Sequence, residues 1–119
     1  MSDTFRSREK CFEAKHKLEE ELCFKAHSHR DKLLGLWAAE KMGLDEDNAK
    51  NYARKVVMED VEHPDDHDLA VRIHADFQDR GIDVGVDEIY AEAERLLPIA
   101  RDDVKADFEA LDDDHEHSV

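Results

Sequence analysis

The sequence predicts an all-α protein: a four-helix bundle preceded by a mobile, partly helical N-terminal arm and followed by a disordered acidic tail. Three observations carry this. Apolar residues recur at helical spacing from Leu33 onward, no stretch alternates Val, Ile or Thr as a strand does, and only four Gly and two Pro interrupt 119 residues. On this basis the chain divides into the arm at 1–27, the bundle at 28–105, and a helix extension with acidic tail at 106–119.

Within the arm, Phe5, Phe12, Leu18, Leu22 and Ala26 form a narrow helical stripe diluted by charge. Helix propensity is good there, but the apolar area is too small to dock on the body, so the arm should order against a partner. The first bundle helix is predicted to start at Ser28-His29-Arg30-Asp31, which has capping-box form. Leu33, Leu34, Trp37, Ala38 and Met42 then share a face before Gly43, a natural stop. Leu36 lies off that face, as in a helix buried all round or one that carries a contact patch. Leu33, Leu34, Leu36 and Trp37 are therefore the core or interface candidates. Gly35 costs a helix about 1 kcal/mol relative to Ala, and close helix–helix approach is the usual compensation.

The second helix is predicted from Asp45-Glu46-Asp47 to before Pro64, with Ala49, Tyr52, Ala53, Val56, Val57 and Val61 on one face. The third starts at Asp65-Asp66, presents Leu69, Ile73 and Phe77, and stops at Gly81. The fourth starts near Asp87 and carries Ile89, Ala93, Leu96, Leu97, Ala100 and Val104. Pro98 falls inside that stripe, which resumes beyond it, so a kink is expected rather than an end. After Leu111 the chain has four acids and a single apolar residue, Val119, which reads as a solvated tail.

Charge narrows the partners. The net charge is −15, distributed unevenly: residues 1–30 sum to +1 and residues 82–119 to −10. Nucleic acid and anionic membranes would repel the acidic body. No apolar run approaches the ~20 residues of a membrane span, and Met1-Ser2-Asp3-Thr4 opens no secretory pattern, so a cytoplasmic location is expected.

Candidate chemistry is sparse. Cys11 and Cys23 read as free thiols, small apolar fillers of the kind a cytosolic chain carries. On one continuous helix they would stand about 18 Å apart, too far for a bond. Among eight histidines, His27 and His29 are two apart and point away from each other on a helix, and His63 and His67 straddle a helix start. The histidines thus read as surface residues, and Asp65/Asp66 and Asp102/Asp103 as caps and solubilising charges. No phosphate loop, nucleophile elbow or His-Glu-x-x-His is present. No enzyme activity, cofactor or metal is expected.

The stretch from Thr4 to Gly43 resembles the alpha-proteobacterial ATP synthase zeta subunit family of ATPase inhibitors. The resemblance is carried by Phe5, Arg8-Glu9-Lys10, Phe12-Glu13, Lys15, Phe24-Lys25-Ala26, Arg30 and above all Lys32-Leu33-Leu34-Gly35-Leu36-Trp37-Ala38-Ala39-Glu40 with Gly43. Tyr52-Ala53, Val56-Val57, Asp76-Phe77 and Leu96-Leu97-Pro98 extend it to about residues 4–105. It implies a four-helix bundle whose N-terminal segment enters the catalytic interface of the soluble head of the F-type ATP synthase. There it folds as a helix and blocks rotation in the hydrolysis direction. By position the contacts would be Phe5, Arg8, Glu9, Phe12, Glu13 and Lys15, with both rings as anchors and Arg8 pairing with enzyme carboxylates. The chain would be a monomer when free, and peripheral to the inner membrane only through the complex. It departs from the family pattern at His16 (usually Phe), Leu18 (usually near a His), Cys11 (usually small) and Ser28-His29 (usually Ala-Arg). Loss of one arm aromatic removes about 1–3 kcal/mol of apolar burial, which would weaken inhibition or retune it. The rival reading is an adaptor or assembly module that binds through the bundle surface around Leu36.

Overall fold

A computed structural model describes the backbone of residues 17–117 and the side chains of residues 19–107. Among the described residues there are four helices and no strands: α1 (Lys17–Lys41), α2 (Glu46–Glu62), α3 (Asp66–Asp79) and α4 (Val86–His117). The protein is all-α. Helix α1 is the spine, packed on both α2 and α4, while α3 closes the bundle mainly against α4.

Local chemistry sets most boundaries. Helix α1 ends at Gly43, whose φ of 70° suits a residue without Cβ. There the Leu44 N–H donates to the Ala39 carbonyl at 3.1 Å and the Gly43 N–H to the Glu40 carbonyl at 3.0 Å, a Schellman stop. The same pair of bonds recurs at Gly81, from Ile82 to Phe77 and from Gly81 to Gln78, and ends α3. Asp45 caps α2 by accepting from the Asn48 N–H at 2.8 Å. Asp65 caps α3 by accepting from the His67 and Asp68 N–H groups. Pro98 sits inside α4, and helical backbone continues past it through the acidic segment to His117.

The predicted start at Ser28 is not a helix end. Helix α1 runs through it from Lys17, so Ser28 caps nothing and the 27/28 division falls within one helix. Unbroken helix-favouring residues such as Glu19–Glu21 and Lys25 let the helix pass a cap-like sequence.

The core is Leu34, Ala38, Val56, Leu69, Ala70, Ile73, Phe77, Ile89, Ala93 and Leu96. Every residue predicted on the inner faces of α3 and α4 is buried. On α2, Ala53 and Val56 are buried as expected, but Val61, expected inside, is exposed and Asp60 beside it is buried. Gly35 is where α1 and α2 touch, since a Cβ built there would meet the Ala53 Cα at 2.6 Å.

Candidate functional site

Helix α1 links the arm to the bundle, and a buried ion cluster fixes its position. Arg30 is fully buried at mid-helix. Its Nε donates to Asp31 Oδ1 at 2.8 Å, and Nη2 and Nη1 donate to the two Asp66 oxygens at 2.8 and 3.2 Å, a bidentate fork. Asp60 Oδ2 stands 3.8 Å from Nη2. One guanidinium thus joins α1, α2 and α3. Burial alone works against its charge, but Asp31, Asp66 and Asp60 outweigh burial and hold the Arg30 pKa above its ordinary value. Asp66, read from sequence as a cap or surface acid, is instead 5% exposed and paired. Only Asp65 of that pair caps.

Asp103 of α4 accepts from His29 Nε2 at 3.0 Å, which ties α4 to the same stretch of α1. His27 is not a surface histidine. It is 1% exposed, and its Nδ1 donates to the Cys23 carbonyl at 2.9 Å. Cys23 departs from expectation too: it is disulfide-bonded rather than a free thiol, and among the described residues no cysteine is free. Cys11 lies outside the described residues.

The four core or interface candidates separate by angle around α1. Leu34 is buried, while Leu33 and Trp37 are half-buried against the core, with the Trp37 and Phe77 ring centroids 6.0 Å apart. Lys41 Nζ lies 5.3 Å from the Trp37 ring centroid. Leu36 instead lines a surface groove of about 740 Å³ between α1 and α2, together with Val57, Met58, Lys32, Lys50 and Arg54. The arm candidates Phe5, Arg8, Glu9, Phe12, Glu13 and Lys15 lie outside the described residues.

Among the described residues, no three His, Cys, Asp or Glu side chains are grouped to hold a metal ion. No described helix is long and apolar enough to cross a membrane. The buried Arg30, Asp60 and Asp66 join three helices, and among the described residues an apolar groove with basic neighbours lies open between α1 and α2. That is the build of a small helical interaction protein. Comparison with protein families makes the class specific. The chain belongs to the ATPase inhibitor subunit zeta family, whose model matches residues 1–105. Membership makes it a regulatory protein in a family named for restraining an ATPase. Searches of the curated proteins and of the solved structures returned no match.

Proposed function

We propose that the protein inhibits ATP hydrolysis by the F-type ATP synthase and that residues 1–27 are the inhibitory element. In this reading the arm extends α1 backwards as a helix, enters the catalytic interface of the soluble head, and blocks rotation in the hydrolysis direction. Phe5 and Phe12, seven residues apart, fall on one helical face and anchor it. Arg8 pairs with enzyme carboxylates, and Glu9, Glu13 and Lys15 complete the contact. The observation that carries the reading is that the family match begins at residue 1, so the arm as well as the bundle belongs to the inhibitor pattern. The anchoring of α1 by Arg30 supports it further, because a rigid spine transmits the hold of the bundle to a helix continued from it.

Deletion of residues 1–19 tests the reading. Loss of inhibition of ATP hydrolysis by the enzyme head, with the helical content of the bundle intact, is the expected result. Full inhibition by the truncated chain would move the inhibitory element to the bundle. The groove that Leu36 lines favours one second reading, an adaptor that docks through α1 and α2. It predicts binding by both forms and inhibition by neither.

A further inference from the structure

The groove between α1 and α2 has the dimensions of a helix seat. Gly35 and Ala53 bring the two backbones together at the crossing, and Ala53, with only a methyl group, also lines the groove. On α1, Ser28, Lys32 and Leu36 stand four apart, and on α2 Lys50, Arg54 and Met58 do the same, so each helix contributes one ridge of side chains. Each ridge spans eight residues, a rise of about 12 Å, which matches two turns of a third helix. Leu36 and Val57 are half-buried and Met58 is exposed, so apolar surface stays open along this length.

The charge of the groove runs against that of the chain. The protein carries −15, yet Lys32, Lys50 and Arg54 line the groove and no Asp or Glu does. Lys50 lies 3.4 Å from Glu46, an exposed pair of little strength. Arg54 donates to Asn51, a neutral partner, at 3.4 Å. These cations are therefore available to carboxylates from outside.

We propose that the groove is a docking site for an acidic amphipathic helix of a partner protein. Its apolar stripe, at i, i+4 and i+7, packs on Leu36, Val57 and Met58, and its flanking Asp or Glu residues meet Lys32, Lys50 and Arg54. A helix fits better than an extended chain, because it satisfies its own backbone and the described residues offer no strand edge to pair with. The groove is open along its length, whereas small-ligand sites enclose most of their ligand. The acidic surround repels a long polyanion but spares a helix whose acids are confined to the flanks of one stripe. The unbranched thioether of Met58 adapts to the side chains it meets. The site stands apart from the arm and holds whether or not the arm inhibits.

The test uses the full chain and synthetic peptides of about 18 residues, long enough to hold a helix. One peptide carries Leu at i, i+4 and i+7 flanked by Glu, a second has Lys for every Glu, and a third is the first in scrambled order. Amide chemical shifts locate the site, and anisotropy of the labelled peptides gives affinity. The Glu peptide should bind with a Kd of about 100 μM or tighter, with shifts centred on Leu36, Arg54, Val57 and Met58. The Lys and scrambled peptides should bind at least about tenfold more weakly. Met58→Asp alters a side chain that is 55% exposed, so it should weaken the Glu peptide by a similar factor with the Tm unchanged. Lys32→Glu with Arg54→Glu should transfer the preference to the Lys peptide, a swap that a misfolded variant would not show. Failure of the Glu peptide to bind, equal binding of the Glu and Lys peptides, or shifts centred elsewhere overturns the proposal. Self-association of the chain that Met58→Asp abolishes would make a second copy the occupant, and oleate shifting these amides where the Glu peptide does not would make it a small amphiphile; either overturns the partner helix.

Discussion

Replacing Gly35 by alanine tests the contact between α1 and α2. The added Cβ would lie 2.6 Å from Ala53 Cα, 3.2 Å from Ala53 Cβ and 3.3 Å from Val56 Cγ2. Carbon atoms at rest sit about 3.5–4.0 Å apart. The nearest atom is main chain and cannot rotate away, so the helices must part by about 1 Å to restore that spacing. Two effects oppose each other. Alanine favours the helix by about 1 kcal/mol, and overpacking a filled interface costs about 1–3 kcal/mol. A backbone clash belongs in the upper part of that range, which leaves a net loss of about 1–2 kcal/mol. For a chain of this size the Tm should fall by about 3–10 °C, read from far-ultraviolet circular dichroism. The pair Gly35→Ala with Ala53→Gly should recover only part of the loss, because it removes the Ala53 methyl and leaves the Cα. An unchanged or higher Tm for Gly35→Ala would refute the close approach.

Arg30→Met leaves Asp31, Asp60 and Asp66 buried without their shared cation, and urea denaturation should show a loss of about 3–5 kcal/mol; a loss below about 1 kcal/mol would mean the cluster does not pin the helices. The Tyr52 hydroxyl donates to Asp76 at 2.7 Å, and burial together with that bond raises its pKa from 10.0. Its stabilising share is therefore complete below pH 10.0 and is lost as pH rises beyond it, so wild type should lose stability more steeply there than Tyr52→Phe, and equal slopes would contradict the assignment. Truncation after Leu111 should leave the Tm unchanged, since four acids and a lone Val119 add no apolar burial; a lower Tm would show the end of α4 packed on the bundle.

The parts of the fold legible in the sequence are those that neighbours along the chain decide. Asp45, Asp65, Gly43 and Gly81 set helix ends through bonds within a few residues, and each was readable from its type and place. The stripes of α3 and α4 follow from periodicity alone. Gly35 was readable as a close approach because its cost in a helix needs a reason. What failed depends on partners distant in sequence. Asp31, Asp60 and Asp66 look like surface acids until Arg30 is placed among them, 36 residues before Asp66. On α2 the buried face runs from Ala53 and Val56 to Asp60, which the cluster holds inside, and Val61, about 100° further round the helix, faces solvent. A lone buried Arg within a helical pattern, with acids near the ends of two other helices, is the one signal that could have found it. The free-thiol expectation fails at Cys23, which is disulfide-bonded, a pairing that spacing along the chain does not signal. Leu36, off the inner face, fits from sequence either a helix buried all round or a contact patch, and it lines the groove between α1 and α2.

The central claim is that the arm inhibits, and the double change Phe5→Ala with Phe12→Ala tests it most directly. Each ring buried on engagement is worth about 1.5–3 kcal/mol, so losing both should weaken inhibition of ATP hydrolysis by at least about two orders of magnitude. Melting of the isolated chain is measured on the same preparation and should be nearly unchanged, because the arm has too few apolar neighbours to be core when free. Inhibition by the double variant at wild-type potency would contradict the account.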